Sequence, residues 1–162
     1  MQAVLSKEVT FKGNYDPLTL YRALRLINPS PYMFYMSFDK FNVIGASPEI
    51  LVQQQNDKVT IRPIAGTRKR GPNDSEDLAN KIDLLQDDKE KAEHMMLVDL
   101  ARNDLSKVSE TGTVQVDEMM VIEKYSHVMH MTSNVIGEKK PSATSVDCLK
   151  AALPAGTLSG AP

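Results

Sequence analysis

The sequence predicts an α+β fold in which helices pack against mainly antiparallel sheet. Most segments with the residue pattern of strands come in two blocks, at 32–63 and 113–136, and the longest helical patterns lie together between them. Regular alternation of strand and helix would favour a parallel sheet, whereas strands in blocks favour antiparallel hairpins. We therefore expect antiparallel sheets with helices grouped beside them.

The first elements are expected to be a strand and a helix. Residues 2–11 alternate loosely between apolar and polar side chains, which is the two-residue period of a strand. Asp16-Pro17 then supplies an N-cap and a proline for the first helical turn, and Asn28-Pro29 ends the helix. The apolar residues between these signals recur at helical spacing: Leu18, Tyr21 and Leu24.

Four strands should follow as an antiparallel meander. The pattern places them at 32–38, 41–46, 50–54 and 58–63. Turn residues separate them, with Asp39-Lys40 after the first strand and Asn56-Asp57 before the last.

The second half is predicted to hold helices and strands after a basic loop. Residues 66–73 are polar and basic and include the chain-breaking pair Gly71-Pro72, which indicates a solvated loop. The elements predicted after it are helices at 74–85 and 87–102, strands at 113–123 and 126–136, and a helix at 143–152.

Composition excludes several classes of function. The net charge is -2 and no long basic run exists, so neither a nucleic acid nor an anionic membrane is an expected partner. No stretch of about 18 apolar residues occurs, so no membrane-spanning helix is expected. The single cysteine, Cys148, cannot form an internal disulfide and lies among apolar residues. We expect a cytoplasmic protein in which Cys148 fills the core.

Two glutamates on the 87–102 helix form a candidate metal site. Glu93 shares a helical stripe with Leu97 and Leu100, and a buried carboxylate there needs a cation or a proton. Glu90 lies one turn earlier on the same side. Paired carboxylates suit Mg²⁺, which keeps several of its waters. From spacing alone, an ion pair of Glu90 with a neighbouring lysine at the solvent edge is the commoner outcome.

His127 and His130 are spaced like zinc ligands but do not predict a zinc site. Residues three apart on a strand face opposite sides, and no cysteine or third histidine has suitable spacing to either. His130 shares its face with the polar residues Thr132 and Asn134, so it is the better functional candidate. A structural histidine satisfied by hydrogen bonds is the alternative.

Two further segments are weak signals by themselves. Glu49 follows Ser47-Pro48 at a break between strands, where a carboxyl group can act as a general acid if its site raises its pKa. The residues from Gly156 to Gly160 could form a nest of backbone N–H groups for an anion, although they lack the Gly-Lys-Ser/Thr of a phosphate loop. An exposed turn is the simpler explanation of both.

Together, seven segments make a specific pattern. In chain order they are Asn28–Phe34, Gly45–Glu49, Arg62–Arg68, Glu90–His94, Leu97–Asp104, Tyr125–His130 and Pro154–Pro162. On these segments essentially the whole chain resembles the chorismate-binding enzymes, which make anthranilate, aminodeoxychorismate, isochorismate or salicylate. The resemblance implies a large α+β domain of packed antiparallel sheets wrapped by helices.

The resemblance also implies roles for individual residues. Glu49 matches the acid that protonates the departing ring hydroxyl, and His130 matches the active-site histidine beside the ring. Glu93 matches a Mg²⁺ ligand, with Glu90 as its close acidic neighbour. The resemblance also implies four residues that contact the substrate: Gly66, Thr67, Gly156 and Thr157.

Two positions separate the branches of this family. Members that add water carry a lysine base where this chain has Gln2, and glutamine cannot deprotonate water. Many members that form aminodeoxychorismate carry a nucleophilic lysine where this chain has Ala65. The resemblance thus implies attack of ammonia on ring carbon 2 and loss of pyruvate to give anthranilate, the start of tryptophan synthesis. Because some aminodeoxychorismate-forming members lack the lysine, that product remains the alternative.

The resemblance implies partners as well. A glutamine amidotransferase subunit would supply ammonia, chorismate would be the substrate and Mg²⁺ the cofactor. Pro31, Tyr32 and Met33 resemble part of a feedback site for tryptophan, and simple packing in a strand is the alternative for these three residues.

The ends of the sequence suggest a segment of a larger domain. The Gly/Pro-rich stretch 154–162 resembles a connecting loop, and family members have further sequence on both sides of the matching region. We expect one truncated domain over residues 1–162 that is inactive and poorly stable by itself. A non-catalytic remnant that only binds ligands or partners is the third possibility.

Overall fold

The computed structural model describes residues 7–156, and their architecture is the predicted α+β arrangement of antiparallel sheets and helices. The described residues form two compact units, one within Ala3–Ile50 and one within Leu51–Pro162.

The smaller unit contains one helix and a two-stranded sheet. Helix α1 (Pro17–Ile27) begins as predicted, because the Asp16 carboxylate accepts a hydrogen bond from the Thr19 N–H at 2.8 Å. Strands β1 (Tyr32–Ser37) and β2 (Asn42–Ser47) follow and pair antiparallel over their full lengths. The predicted first hairpin is therefore confirmed.

The strand predicted at residues 2–11 is wrong where it can be compared. Residues 7–11 have no strand structure, and all of residues 7–16 are exposed. A strand needs a neighbour that completes its ladder, and none of the strands within residues 7–156 pairs with this segment. Residues 2–6 lie outside the described residues.

The larger unit is built around one long strand. β7 (Val128–Glu138) pairs with β6 (Gln115–Lys124) along one edge. β4 (Lys58–Ile61) and β5 (Ile64–Lys69), which follow each other across Pro63, share its other edge. All of these pairings are antiparallel, so β7 joins segments that are far apart in sequence.

A tight hairpin adds a short fifth strand to this sheet. β3 (Gln53–Gln55) pairs with β4 across the turn predicted at Asn56-Asp57. Asn56 has a φ of 56°, a left-handed conformation that asparagine tolerates better than most residues. The hairpin is confirmed, although β3 begins later than the predicted residue 50. The predicted four-strand meander is wrong, because β1 and β2 form their own two-stranded sheet and β3 and β4 belong to another. Pro48, which has no N–H for a ladder, lies in the break between β2 and β3.

Strand β5 corrects the prediction of a loop at residues 66–73 over residues 66–69, whereas residues 70–73 form a loop as predicted. The sequence is polar here, but Arg68 turns toward the helices, where Asp83 and Asp87 bind its guanidinium at 2.6 and 2.8 Å. Thr67 and Lys69 on either side of it are exposed. The inward charge is thus neutralised by partners far along the chain, which local hydrophobic patterning does not reveal.

Two consecutive helices cover one face of the sheet. α2 (Asp74–Gln86) passes into α3 (Asp88–Val108) at Asp87, whose carboxylate accepts from the N–H groups of Lys89 and Glu90 at 3.0 and 3.1 Å. This cap ends one helix and starts the next. α3 continues beyond the predicted end at residue 102.

The core lies between α3 and the sheet. Its buried residues are Val59, Val98, Ala101, Leu105, Val108, Val135 and Cys148. Cys148 belongs to helix α4 (Ser145–Ala151), and burial raises the pKa of its thiol. The prediction that Cys148 fills the core is confirmed.

Asp77 is a buried carboxylate that fastens the end of β5 to β6. It accepts hydrogen bonds from Arg70 Nε and the Gly71 N–H, and its other oxygen lies 2.7 Å from Lys124 Nζ. Arg70 first, and then Lys124, hold the pKa of this carboxyl well below its usual range. A group with a lowered folded pKa stabilises the fold above its unfolded pKa, and this stabilisation is lost as the pH falls toward the folded pKa.

Asp77→Asn should therefore lower the Tm of the protein by roughly 5 °C at pH 7. The difference from wild type should shrink as melts are run below about pH 4, where the unfolded carboxyl becomes protonated. Asp88→Asn is the control, because Asp88 is almost fully exposed in the first turn of α3. A difference that stays constant from pH 7 to pH 3 would contradict the assignment.

Candidate functional site

A bulge in β5 is the point around which several predicted site residues gather. The register against β7 shifts between Ile64 and Thr67, so Ala65 and Gly66 form the bulge. Gly66 has a φ of 87°, and a Cβ built on it would lie 3.5 Å from Glu90 Oε2. The left-handed backbone favours glycine here, and the α3 carboxylate lies at ordinary contact distance.

On one face of the sheet the end of the bulge brings Thr67 against His130. The two residues are paired in register, and Thr67 Oγ1 lies 2.9 Å from His130 Nδ1. Tyr125 packs edge-on against the same imidazole with ring centroids 5.4 Å apart, and its hydroxyl donates to Glu123. The ring of His130 is therefore held by a hydroxyl group on one side and an aromatic ring on another.

The environment of His130 favours a neutral imidazole. Burial lowers its pKa, while a hydrogen bond to the Gly66 backbone and the charge of Glu123 act in the opposite direction. A neutral imidazole at pH 7 can accept a proton or a hydrogen bond from a bound molecule.

Glu123→Gln should lower the pKa of His130 further, because it removes the negative charge that favours the imidazolium form. An NMR titration of the imidazole resonances in wild type and variant measures the change. Glu110→Gln, a change in an exposed turn, is the matched control. An unchanged or higher pKa in the Glu123 variant would show that Glu123 does not act on this ring.

α3 places Glu90 next to the bulge, near Gly66 and Arg68. Arg68 Nη1 lies 3.6 Å from Glu90 Oε1, and its other nitrogens bind Asp83 and Asp87. One guanidinium is thus shared by three carboxylates. The start of α3 therefore keeps an excess of negative charge, which favours a cation nearby.

The carboxylates of Glu90 and Glu93 on α3 are suitable ligands for Mg²⁺. Glu90 and Glu93 are both half-buried and lie one helical turn apart, and carboxylate oxygens are the ligands that this ion prefers. Among residues 7–156, no group of three or more His, Cys, Asp or Glu side chains is arranged to hold a metal ion. These two glutamates can supply two of the six ligands that Mg²⁺ takes.

The predicted acid and the predicted inhibitor residues lie in the smaller unit. Glu49 follows β2 in a turn closed by Ser47, whose hydroxyl donates to the Glu49 carbonyl at 3.1 Å. Tyr32 pairs directly with Ser47. Pro31, Tyr32 and Met33 therefore lie at the start of β1, opposite the end of β2 that leads to Glu49.

The remaining predicted substrate contacts are only partly described. Gln2 and Thr157 lie outside the described residues. Gly156 is described, and a side chain on it would overlap Leu100 of α3. Gly156 thus lies directly against the helical stripe that begins at Glu93, two turns before Leu100.

Sequence reasoning missed His94, which is fully buried beside the bulge. Its Nδ1 lies 3.1 Å from the Ala65 carbonyl oxygen and its Nε2 lies 2.7 Å from Ser133 Oγ. A signal was present, because His94 begins the stripe of core positions that continues with Val98, Ala101 and Leu105. A polar residue in line with such a stripe is a candidate for burial, and a buried polar residue needs hydrogen bonds.

Known proteins match this chain over its full length. The family described as chorismate binding enzyme matches residues 1–162. The chain is 58% identical to anthranilate synthase component 1 of Neisseria meningitidis serogroup A / serotype 4A, over 100% of this chain and 33% of that protein. It is 56% identical to anthranilate synthase component 1 of Aquifex aeolicus, with the same coverage of both chains.

A solved structure supports the fold. Anthranilate synthase component I from Streptococcus pneumoniae matches with a TM-score of 0.83 at 49% identity, over 93% of this chain and 32% of that chain. Like this protein, it combines antiparallel sheets with helices, and the predicted α+β class is confirmed. Among residues 7–156, no helix is long and apolar enough to cross a membrane.

The chain spans about a third of the length of the curated relatives it matches. Within that third lie all seven motif segments, including the β5 bulge, the acidic turn of α3 and the strand that carries His130. The family match covers every residue from 1 to 162, and the protein therefore belongs to the chorismate-binding enzymes.

Proposed function

We propose that this chain is part of the catalytic subunit of an anthranilate synthase. The complete subunit converts chorismate and ammonia to anthranilate and pyruvate. The observation that carries the proposal is the β5 bulge, where Thr67 touches His130 and the neighbouring Gly66 lies near Glu90. Identity of 54–58% to several anthranilate synthase components supports the same activity.

The residues at the bulge suit an anionic ring substrate. Chorismate is a dicarboxylate, and the Gly66 backbone and Thr67 hydroxyl can donate hydrogen bonds to a carboxylate. His130 lies against Thr67 and would contact the ring beside that carboxylate. In this assignment Thr67 both binds substrate and orients the imidazole.

Glu93 would hold Mg²⁺, with Glu90 close by in the same acidic turn of α3. When bound, the ion would neutralise a substrate carboxylate and polarise the ring. Glu49 is assigned the proton transfer: its carboxyl group donates a proton to the ring hydroxyl, which leaves as water.

The nature of residue 65 favours ammonia as the direct nucleophile. Ala65 lies in the bulge, adjacent to the substrate contacts, and its methyl group cannot form a covalent adduct. Gln2 cannot deprotonate water, so hydration of the ring is also disfavoured. Ammonia itself is nucleophilic, and no protein base is needed to create a lone pair on it.

The proposal is tested by identifying the product of the full-length protein that carries this segment. With chorismate, Mg²⁺ and ammonium, we expect ortho-aminobenzoate and pyruvate in equal amounts. Formation of aminodeoxychorismate or isochorismate, or no turnover at all, would refute the proposal. Glutamine should replace ammonium only when a glutamine amidotransferase subunit is added, and tryptophan is the expected feedback inhibitor.

A further inference from the structure

Two backbone irregularities lie on opposite edges of β7. One is the Ala65–Gly66 bulge of β5, and the other is a register shift in β6, where Met120 has a φ of 51°. A left-handed conformation is strained for methionine and persists only where the surroundings hold it in place. The two irregular segments are connected through the interior by a chain of hydrogen bonds between side chains and backbone.

The chain of hydrogen bonds passes through His94 and Ser133. His94 Nδ1 is 3.1 Å from the Ala65 carbonyl oxygen, its Nε2 is 2.7 Å from Ser133 Oγ, and the Met120 N–H donates to the same hydroxyl oxygen at 2.9 Å. A carbonyl oxygen only accepts, so Nδ1 must carry the proton. In the neutral ring Nε2 then accepts from the Ser133 hydroxyl, which in turn accepts from Met120.

This arrangement fixes a group that belongs to the proposed substrate site. The Ala65 carbonyl and the Gly66 N–H are parts of one planar peptide unit. A hydrogen bond that anchors the carbonyl therefore also sets the direction of the Gly66 N–H. His94 belongs to the helix of Glu90 and Glu93, so the same bond sets the spacing between these carboxylates and the bulge.

We propose that His94 is a positioning residue that holds the Ala65–Gly66 peptide in its catalytic orientation relative to the glutamates of α3. This inference deepens the proposed function and rests on it. His94 has no contact with substrate in this scheme. It acts through Ala65, and Ser133 holds its ring from the other side.

Two substitutions at His94 each remove one of its two hydrogen bonds and keep the other. The amide nitrogen of asparagine occupies about the place of Nδ1, so His94→Asn keeps a donor for the Ala65 carbonyl and loses the bond to Ser133. The longer glutamine places its amide near Nε2, so His94→Gln keeps a partner for Ser133 and loses the bond to Ala65. Each variant therefore breaks one bond of the same buried chain.

The full-length protein is assayed for anthranilate formation, chorismate KM and Tm. Misplacement of a site group by about 1 Å can cost about a hundredfold in rate. We therefore expect His94→Gln to lower kcat by about a hundredfold and His94→Asn by less than about tenfold, with similar losses in Tm. Val98→Ala, one turn further along the same buried stripe, should lower Tm without a comparable loss of kcat. If His94→Asn and His94→Gln lose kcat equally, or if kcat follows Tm in all three variants, the residue is only structural.

A second readout does not depend on turnover. In protein labelled with ¹⁵N-glycine, the Gly66 amide resonance should move in His94→Gln and stay near its wild-type position in His94→Asn. Equal shifts in both variants would overturn the positioning role. If the wild-type protein makes no anthranilate, the proposed function fails, but the Gly66 comparison still decides whether His94 orients this peptide.

Discussion

Glu49→Gln is expected to lower kcat of the full-length enzyme by roughly 10²–10⁴-fold, the range that general acid catalysis contributes. Glutamine keeps the size and hydrogen-bonding capacity of the side chain but has no carboxyl proton to give to the leaving hydroxyl. Chorismate affinity should change little, because the assigned role of Glu49 is at the transition state rather than in ground-state binding.

Steady-state kinetics together with a direct measurement of chorismate binding by calorimetry separates these effects. Asp39→Asn is the matched control, since Asp39 is an exposed acid in the turn between β1 and β2 of the same unit. Retained turnover in Glu49→Gln would remove this residue from its proposed role. A large loss of affinity with unchanged kcat would instead identify Glu49 as a substrate contact.

The sequence predicted best those elements that depend on local interactions. The starts of α1 and α2 follow from side-chain caps within three residues, Asp16 to Thr19 and Asn73 to Glu76. The turn at Asn56-Asp57 likewise depends on the conformation of one residue. Such signals are complete within a short window of sequence, so the element they start or end can be recognised there.

Strand β5 and its bulge could not be predicted in this way. The strand exists because it pairs with β7, and the contact between Thr67 and His130 joins residues 63 positions apart. The charge of Arg68 suggested solvent, but Asp83 and Asp87 neutralise it from α2 and from the α2–α3 junction. Polar patterning cannot distinguish an exposed loop from a strand whose charges are paired across the fold.

In the candidate site, too, local patterns were predictable from the sequence and long-range contacts were not. Periodicity identified the stripe of Glu90 and Glu93 on α3 and the polar face of β7 that carries His130. It did not indicate that both would meet β5 at Gly66 and Thr67, because that meeting depends on the bulge. Resemblance to a family supplied the roles, and the contacts of the described residues show how Thr67, His130 and Glu90 are held.

Replacing Glu93 by Gln should raise the Mg²⁺ concentration for half-maximal activity by roughly a hundredfold, which corresponds to about 2.7 kcal/mol of lost metal affinity. An amide oxygen can still contact the ion, but it brings no negative charge. Glu90→Gln should have a smaller effect, because Arg68 already neutralises part of the Glu90 charge at 3.6 Å.

The variant that loses more Mg²⁺ affinity identifies the ligand. Asp99→Asn is the control on the same helix, where an exposed carboxylate is paired with Arg102. Calorimetric titration with Mg²⁺, in the presence and absence of chorismate, measures the affinity without relying on turnover. An unchanged titration for Glu93→Gln would make this carboxylate structural. A larger loss for Glu90→Gln would transfer the ligand role to Glu90, in which case Arg68 must release it when the metal binds.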